Sequence, residues 1–264
     1  MRNKIIVALT FIGFATLIYF GYEQDDIRLS SATSDISPAE KIESPDESTT
    51  QFARKTTPPV LSPADKILMD KNKRSEYQTW RHDRGYADEN TKNNYDAYSD
   101  EILVSLTKQN DIFATQTLAK RQYEKERDGK LDFIKTKALY YRAAAQGSTY
   151  ALDELSILDA QLSSVYQESS PALAYKYSLD ARAWAEVKKM RGDTFSSFLG
   201  AKMIPETFAE TELIEIREQA KNLFDDLSSQ RQQLNLGAFD NAVSEWDAAM
   251  LEKINTAKVS HESK

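Results

Sequence analysis

Lys137-Ala138-Leu139-Tyr140-Tyr141-Arg142-Ala143-Ala144-Ala145-Gln146-Gly147 is the stretch on which the fold turns. Its alanines are small enough to let helices approach closely, and its tyrosines are large enough to fill the space between them. Gly147 supplies a left-handed residue where a helix must end, and Ser148-Thr149 opens the next helix with hydroxyl caps. Outward from this run, Gln109, Ala114 and Leu118 return 37 residues later as Gln146, Ala151 and Leu155. A period in the thirties carried by alternating helices marks a helical solenoid. The composition agrees. Eight glycines and seven prolines in 264 residues, with abundant Ala, Leu, Glu, Lys and Gln, describe an all-α chain.

This part of the chain resembles the Sel-like repeat, a relative of the tetratricopeptide repeat. Ala114, Leu118, Ala119 and Tyr123 match the family's first helix, and Lys137, Ala138, Tyr140, Tyr141, Ala144, Ala145 and Gly147 its second. Asn110 stands where the pattern opens with glycine, and asparagine also tolerates a left-handed conformation. About 1.5 repeats lie over residues 99–200, one of them complete over 110–146. The second begins at Gly147 and departs from the pattern through an irregular linker from Gln161 to Ser170. A long helix then starts at Ser170-Pro171 and carries Ala174, Tyr177, Ala181, Trp184 and Val187, and Arg191-Gly192-Asp193 reads as a turn. The resemblance implies helical hairpins whose concave face binds peptides or proteins. It names no ligand.

The flanks stay helical. Ser62-Pro63-Ala64-Asp65 is a helix start, and the pattern predicts one helix to about Asp83, then a turn at Gly85. Ser99-Asp100 caps a helix whose buried face would be Ile102, Leu103 and Leu106. Pro205-Glu206 opens a long helix with a seam at Leu213, Ile216, Ala220, Leu223 and Leu227. Asn235 and Gly237 break it, and a second seam follows at Phe239, Val243, Trp246, Met250 and Ile254. The two seams predict an antiparallel hairpin over 205–260, packed on itself or capping a repeat domain over 62–204. Pairing of the seams between two chains, giving a homodimer, is the alternative. The tail from Thr256 to Lys264, with 261–264 as its frayed end, is expected to fray.

The N-terminus decides location. Arg2 and Lys4 precede an unbroken apolar run from Ile5 to Phe20, and Glu23, Asp25 and Asp26 follow. With Gly21 and Tyr22 this meets the roughly 18–20 residues that cross a hydrocarbon core of about 30 Å. Its bulky end, Leu17-Ile18-Tyr19-Phe20, suits neither signal cleavage nor a small-residue site, so residues 1–22 read as a transmembrane signal anchor. The basic residues stay cytoplasmic. With the family resemblance, this places a single-pass protein in a bacterial inner membrane with its body in the periplasm. Residues 23–61, rich in Ser, Thr, Pro, Asp and Glu, read as a disordered linker with a reach of about 30–35 Å.

Chemistry is sparse. The absence of cysteine excludes disulfides, thiolate catalysis and cysteine-ligated zinc. The two histidines, His82 and His261, have no ligand spacing, and no phosphate loop or nucleophile elbow occurs. A net charge of −7 gives no general attraction to nucleic acid. No catalytic, cofactor-binding or metal residue is assigned, and the chain reads as a non-enzyme. One cluster stands out: Tyr77, Trp80, Arg81, His82, Arg84 and Tyr86. Trp, Tyr and Arg dominate interface hot spots, so these residues, with Tyr140, are candidates for binding a protein partner. The same cluster also reads as an N-terminal cap on the repeats, with Trp80 buried. The leading expectation is a membrane-tethered scaffold or adaptor for an envelope protein or peptide. A cell-wall or polysaccharide-acting enzyme using helix-borne carboxylates, and a protein that self-assembles through its C-terminal seams, are the alternatives.

Overall fold

The structure, a computed structural model, describes residues 61–127, 133–196 and 208–262. The expected anchor over 1–22 and all but the last residue of the linker over 23–61 lie outside these. The described residues contain helices and no strand.

Helix ends set the architecture. α1 (Pro63–Met69) starts as its sequence suggests: the Ser62 hydroxyl accepts from the Asp65 N–H, and Asp65 accepts from the Ser62 N–H. The expected single helix is broken at Asp70. There the carboxylate accepts from the Asn72 and Lys73 N–H groups and starts α2 (Lys71–Asp83) anew, an instance of a short polar side chain competing with the helical ladder. α3 (Glu89–Asp96), which periodicity did not reveal, is capped by Asp88. α4 (Asp100–Lys108) has Ser99 as its cap, as expected. On α4, Leu103 and Thr107 are buried, whereas Ile102 points outward.

α5 (Ile112–Arg127), α6 (Ile134–Gln146), α7 (Tyr150–Tyr166) and α8 (Pro171–Met190) follow, each packed on the next. The linker expected from Gln161 is helical as far as Tyr166. One turn recurs between these elements. α4, α6 and α8 end at the left-handed residues Asn110 (φ 66°), Gly147 (φ 131°) and Gly192 (φ 79°). In each case the next N–H reaches back five residues: Asp111 to Leu106 O, Ser148 to Ala143 O, Asp193 to Lys188 O. The same residue then serves the next helix. Asp111 accepts from the Ala114 N–H and Ser148 from the Ala151 N–H, both at 2.9 Å. Asn110 therefore ends its helix in the way Gly147 and Gly192 end theirs.

The core is an alanine-lined contact filled by leucines. Ala143, Ala144, Ala145, Ala151 and Ala183 are fully buried beside Leu152, Leu155, Leu158, Leu162 and Val187. A buried carboxylate crosses this core. Asp159 on α7 accepts from Lys137 Nζ on α6 at 2.6 Å and from Trp184 Nε1 on α8 at 3.0 Å. Three consecutive helices are thereby pinned in register.

The C-terminal seams part company. α9 (Glu210–Gln233) buries Ile216, Ala220 and Leu227 and packs chiefly on α8 and α6. α10 (Glu245–Glu262) packs on α1 and α2, at the other end of the sequence. The expected hairpin of paired seams is not what forms. Phe239 and Val243 fall in a non-helical strap over 234–244, and the buried face of α10 carries Asp247 and Ala249. α10 also runs to Glu262, past the expected fraying point. Pro58–Lys264 packs as one unit.

Candidate functional site: an arginine-lined cleft

Four helices, α2, α6, α8 and α9, end around the strap. Helix C-termini leave carbonyls without intrahelical partners, and cations suit them. Arginines stand at three of these ends: Arg84 follows α2, Arg191 follows α8, and Arg231 is in the last turn of α9. Arg231 Nη1 donates to Gln146 O (2.6 Å) and Ala145 O (3.3 Å), and its Nη2 to Leu236 O (3.0 Å). Arg191 Nη2 donates to Gly147 O (3.3 Å) and its Nε to Asn241 Oδ1 (3.1 Å). Arg84 Nη2 donates to Asp240 O, Ala242 O and Asp240 Oδ2, at 3.1–3.3 Å.

Aromatic rings are interleaved with these cations. Phe239 lies between Arg191 and Arg231, 3.6 and 4.9 Å from its centroid. Arg84 sits 4.1 Å from the centroid of Trp80, whose Nε1 donates to Ala242 O (3.3 Å). Gly192 is required where the strap passes. A Cβ there would meet Asn241 O at 2.5 Å and Ala242 O at 2.6 Å.

A cleft of about 540 Å³ opens over this knot, within the size range of small-ligand sites. α2 contributes Glu76, Thr79, Trp80 and Asp83 to its wall, and α6 contributes Gln146 with Gly147. Arg84, Arg191, Arg231 and Asp240 complete it. Burial, then the nearby Arg84 and Arg231 charges, push the Arg191 guanidinium down to about 9. The Ala242 N–H and Arg84 hold the Asp240 carboxyl below its usual range.

An interior polar cluster fixes the helices that make this wall. Lys188 on α8 pairs with Asp153 on α7 and lies 3.9 Å from Asp193. The Tyr86 hydroxyl donates to Asp193 (2.7 Å) and also contacts Asp153 (3.3 Å), and the Thr149 hydroxyl donates to Asp193 (2.7 Å). Burial raises Asp153. Asp193, although the more deeply buried, is held below the ordinary carboxylate range by Lys188 and the Ser196, Thr149 and Tyr86 hydroxyls. Neither acid is among the residues lining the cleft. Among the described residues, no group of three or more His, Asp or Glu is arranged to hold a metal ion.

Of the residues singled out in the sequence, Trp80 and Arg84 line the cleft. Tyr77 is stacked between Trp80 and Trp246, and Arg81 covers the ring of Tyr86 at 4.5 Å. Tyr86 and Tyr140 are corrected from the partner-binding set: both are interior. Tyr86 belongs to the Lys188 cluster, and Tyr140 lies in the hydrophobic core, its phenol raised by burial and by Glu154. The capping reading expects a buried Trp80; its ring is instead half-exposed in the cleft wall, with its Nε1 on the strap at Ala242 O. Sequence reasoning missed Gln146, Arg191, Arg231, Phe239 and Asp240 as site residues. The available signal was a cation at or just past the end of α2, α8 and α9, which is common enough to pass unnoticed. No protein-family model, curated protein or solved structure matches this chain.

Proposed function

We propose that the chain is a Sel-like helical-repeat scaffold, tethered by residues 1–22 to a bacterial inner membrane. Its body would bind an envelope protein or peptide on the periplasmic side. The observation that carries this reading is the cleft itself. Trp80 and three arginines, the residue types that dominate binding hot spots, converge on one concavity lined by α2 and α9, the ends of α6 and α8, and the strap. The interior Lys188–Asp153–Asp193 cluster holds those walls at a fixed spacing, as a preorganised binding site requires. The tether would let the body search the space above the membrane while remaining close to it.

A photo-crosslinking amino acid placed at Thr79, on the exposed rim of the cleft, tests this in intact membranes. The expected result is one discrete adduct, absent when the same probe is placed at Ser164 on the outer face of α7. No adduct from Thr79, or the same adduct from both positions, contradicts the reading.

A further inference from the structure

The strap is held at the helix ends by side chains. Among the described residues, no main-chain to main-chain hydrogen bond joins 237–243 to the rest of the chain. Instead, Arg84 Nη2 donates to Asp240 O, Asp240 Oδ2 and Ala242 O, Arg191 Nε to Asn241 Oδ1, and Trp80 Nε1 to Ala242 O. Phe239 enters between Arg191 and Arg231. The main chain of Asn241 and Ala242 passes so close to Gly192 that a Cβ there would strike it. Side-chain donors on peptide carbonyls, one charge-assisted carboxylate, a seated aromatic ring and a glycine floor are the means by which a protein holds a foreign segment.

The strap and α10 also form a peripheral unit. The hydrophobic core is built from α5–α9 and Phe133, and of the strap Leu234 and Phe239 pack against it. Asp240 to Val243 are exposed on their outer side. α10 anchors the far end of the strap, and its buried residues, among those described, are Asp247 and Ala249. A carboxylate is costly to bury. This one faces Asp193, while the buried cation Lys188 pairs with Asp153 and lies 3.9 Å from Asp193. The stack of Trp246 on Tyr77 favours docking, but the Lys73–Glu245 and Lys253–Asp65 pairs at its margin are partly exposed and contribute little.

We infer that the strap is an intramolecular occupant of the partner's seat, and that the partner enters with the strap's own chemistry: a non-helical segment in which an aromatic residue is followed directly by Asp or Glu. This rests on the scaffold reading and supplies the class of its partner and the regulation of its site. The cleft is the entrance, since Thr79 and Trp80 line it beside Asp240 of the strap. While the strap is docked it holds Arg84, Arg191 and Trp80, and an attached occupant competes at high effective concentration. Affinity for the partner is therefore reduced by the fraction of chains whose strap is released. The buried Asp247 raises that fraction by opposing the docking of α10.

The test uses the full chain in detergent micelles near neutral pH and a fluorescent peptide of residues 236–243, blocked at both ends. Anisotropy gives its affinity for the wild-type chain and three variants. Phe239→Ala unseats the strap, and Ala249→Arg undocks α10. Each should bind the peptide roughly tenfold more tightly than wild type does. Asp247→Asn removes the buried charge, tightens docking and should bind it roughly threefold more weakly. On the Ala249→Arg chain, peptides carrying Phe239→Ala or Asp240→Asn should lose roughly tenfold. Hydrogen exchange checks that α5–α9 stay protected in the releasing variants; should Ala249→Arg unfold, the Phe239→Ala chain serves for every comparison. Peptide affinity unchanged between wild type and the folded releasing variants, or equal binding of the altered peptides, would overturn the inference. Failure of the scaffold reading is seen separately, as loss of the Thr79 adduct, because the peptide assay needs no partner.

Discussion

The guanidinium of Arg191 lies 3.6 Å from the ring centroid of Phe239. Through that contact the end of α8 holds the strap that leads to α10. Arg231 covers the same ring at 4.9 Å, so one half-buried phenyl group joins α8, α9 and the strap. Cation–π contacts of this kind strengthen as water is excluded.

Phe239→Ala should therefore cost about 2 kcal/mol, combining lost burial with lost cation–π attraction. Urea unfolding measures the total. Hydrogen exchange should show the loss concentrated in α10 and the strap, with the α5–α8 core still protected.

Gly192→Ala should be worse. The residue has φ 79°, and the added Cβ would meet backbone oxygens of Asn241 and Ala242 that cannot move away independently. The expected cost exceeds about 2 kcal/mol. Asn110→Gly, at the equivalent turn after α4, should change stability by no more than about 0.5 kcal/mol, because the left-handed strain it relieves offsets the greater freedom of the unfolded chain. Thermal melts of the two variants compare them directly.

Asp247 makes the docking of α10 depend on pH. Its carboxylate is fully buried, and burial together with the facing Asp193 charge pushes it up to about 6. Tyr77 from α2, the Phe195 N–H and Lys188 from α8 pull the other way without prevailing. A raised acid binds its proton more tightly when folded, so the contribution of Asp247 to stability is fully present below about pH 4 and is lost as pH rises through about 6. The loss is on the order of 2–3 kcal/mol and flattens above that range. Asp247→Asn should remove this fall, as read from Tm against pH.

Lys137→Met should destabilise the α6–α8 core by about 3 kcal/mol at neutral pH, because it leaves the wholly buried Asp159 carboxylate with Trp184 alone. The loss should shrink in acid as Asp159 takes up a proton. Adding Asp159→Asn should recover most of it. Chemical denaturation at two pH values checks both statements.

Turn chemistry was the most legible part of this chain. Gly147, Ser148 and Asn110 act as their types and positions suggest, because a left-handed helix end and a hydroxyl or carboxylate cap are local matters. Local competition also explains one miss. Asp70 could have continued a helix or started one, and its two cap bonds favoured the second. The C-terminal seams misled for a tertiary reason. A 3-4 spacing says that a face is apolar but not what covers it. α8 and α6 cover the first seam, while α1 and α2 take α10. The cleft was half visible. Trp80 and Arg84 sit in one short aromatic and basic run, whereas Arg191, Arg231 and Phe239 reach it from more than 100 residues away.

The affinity of the partner captured from Thr79, measured for the full chain and for Thr79→Trp, is the most direct test. Thr79 is exposed on the cleft rim, so the indole fills the cleft without disturbing the core. The expected result is a loss of roughly tenfold or more in affinity with an unchanged Tm. Equal affinity of the two proteins would contradict the assignment of this cleft as the binding site.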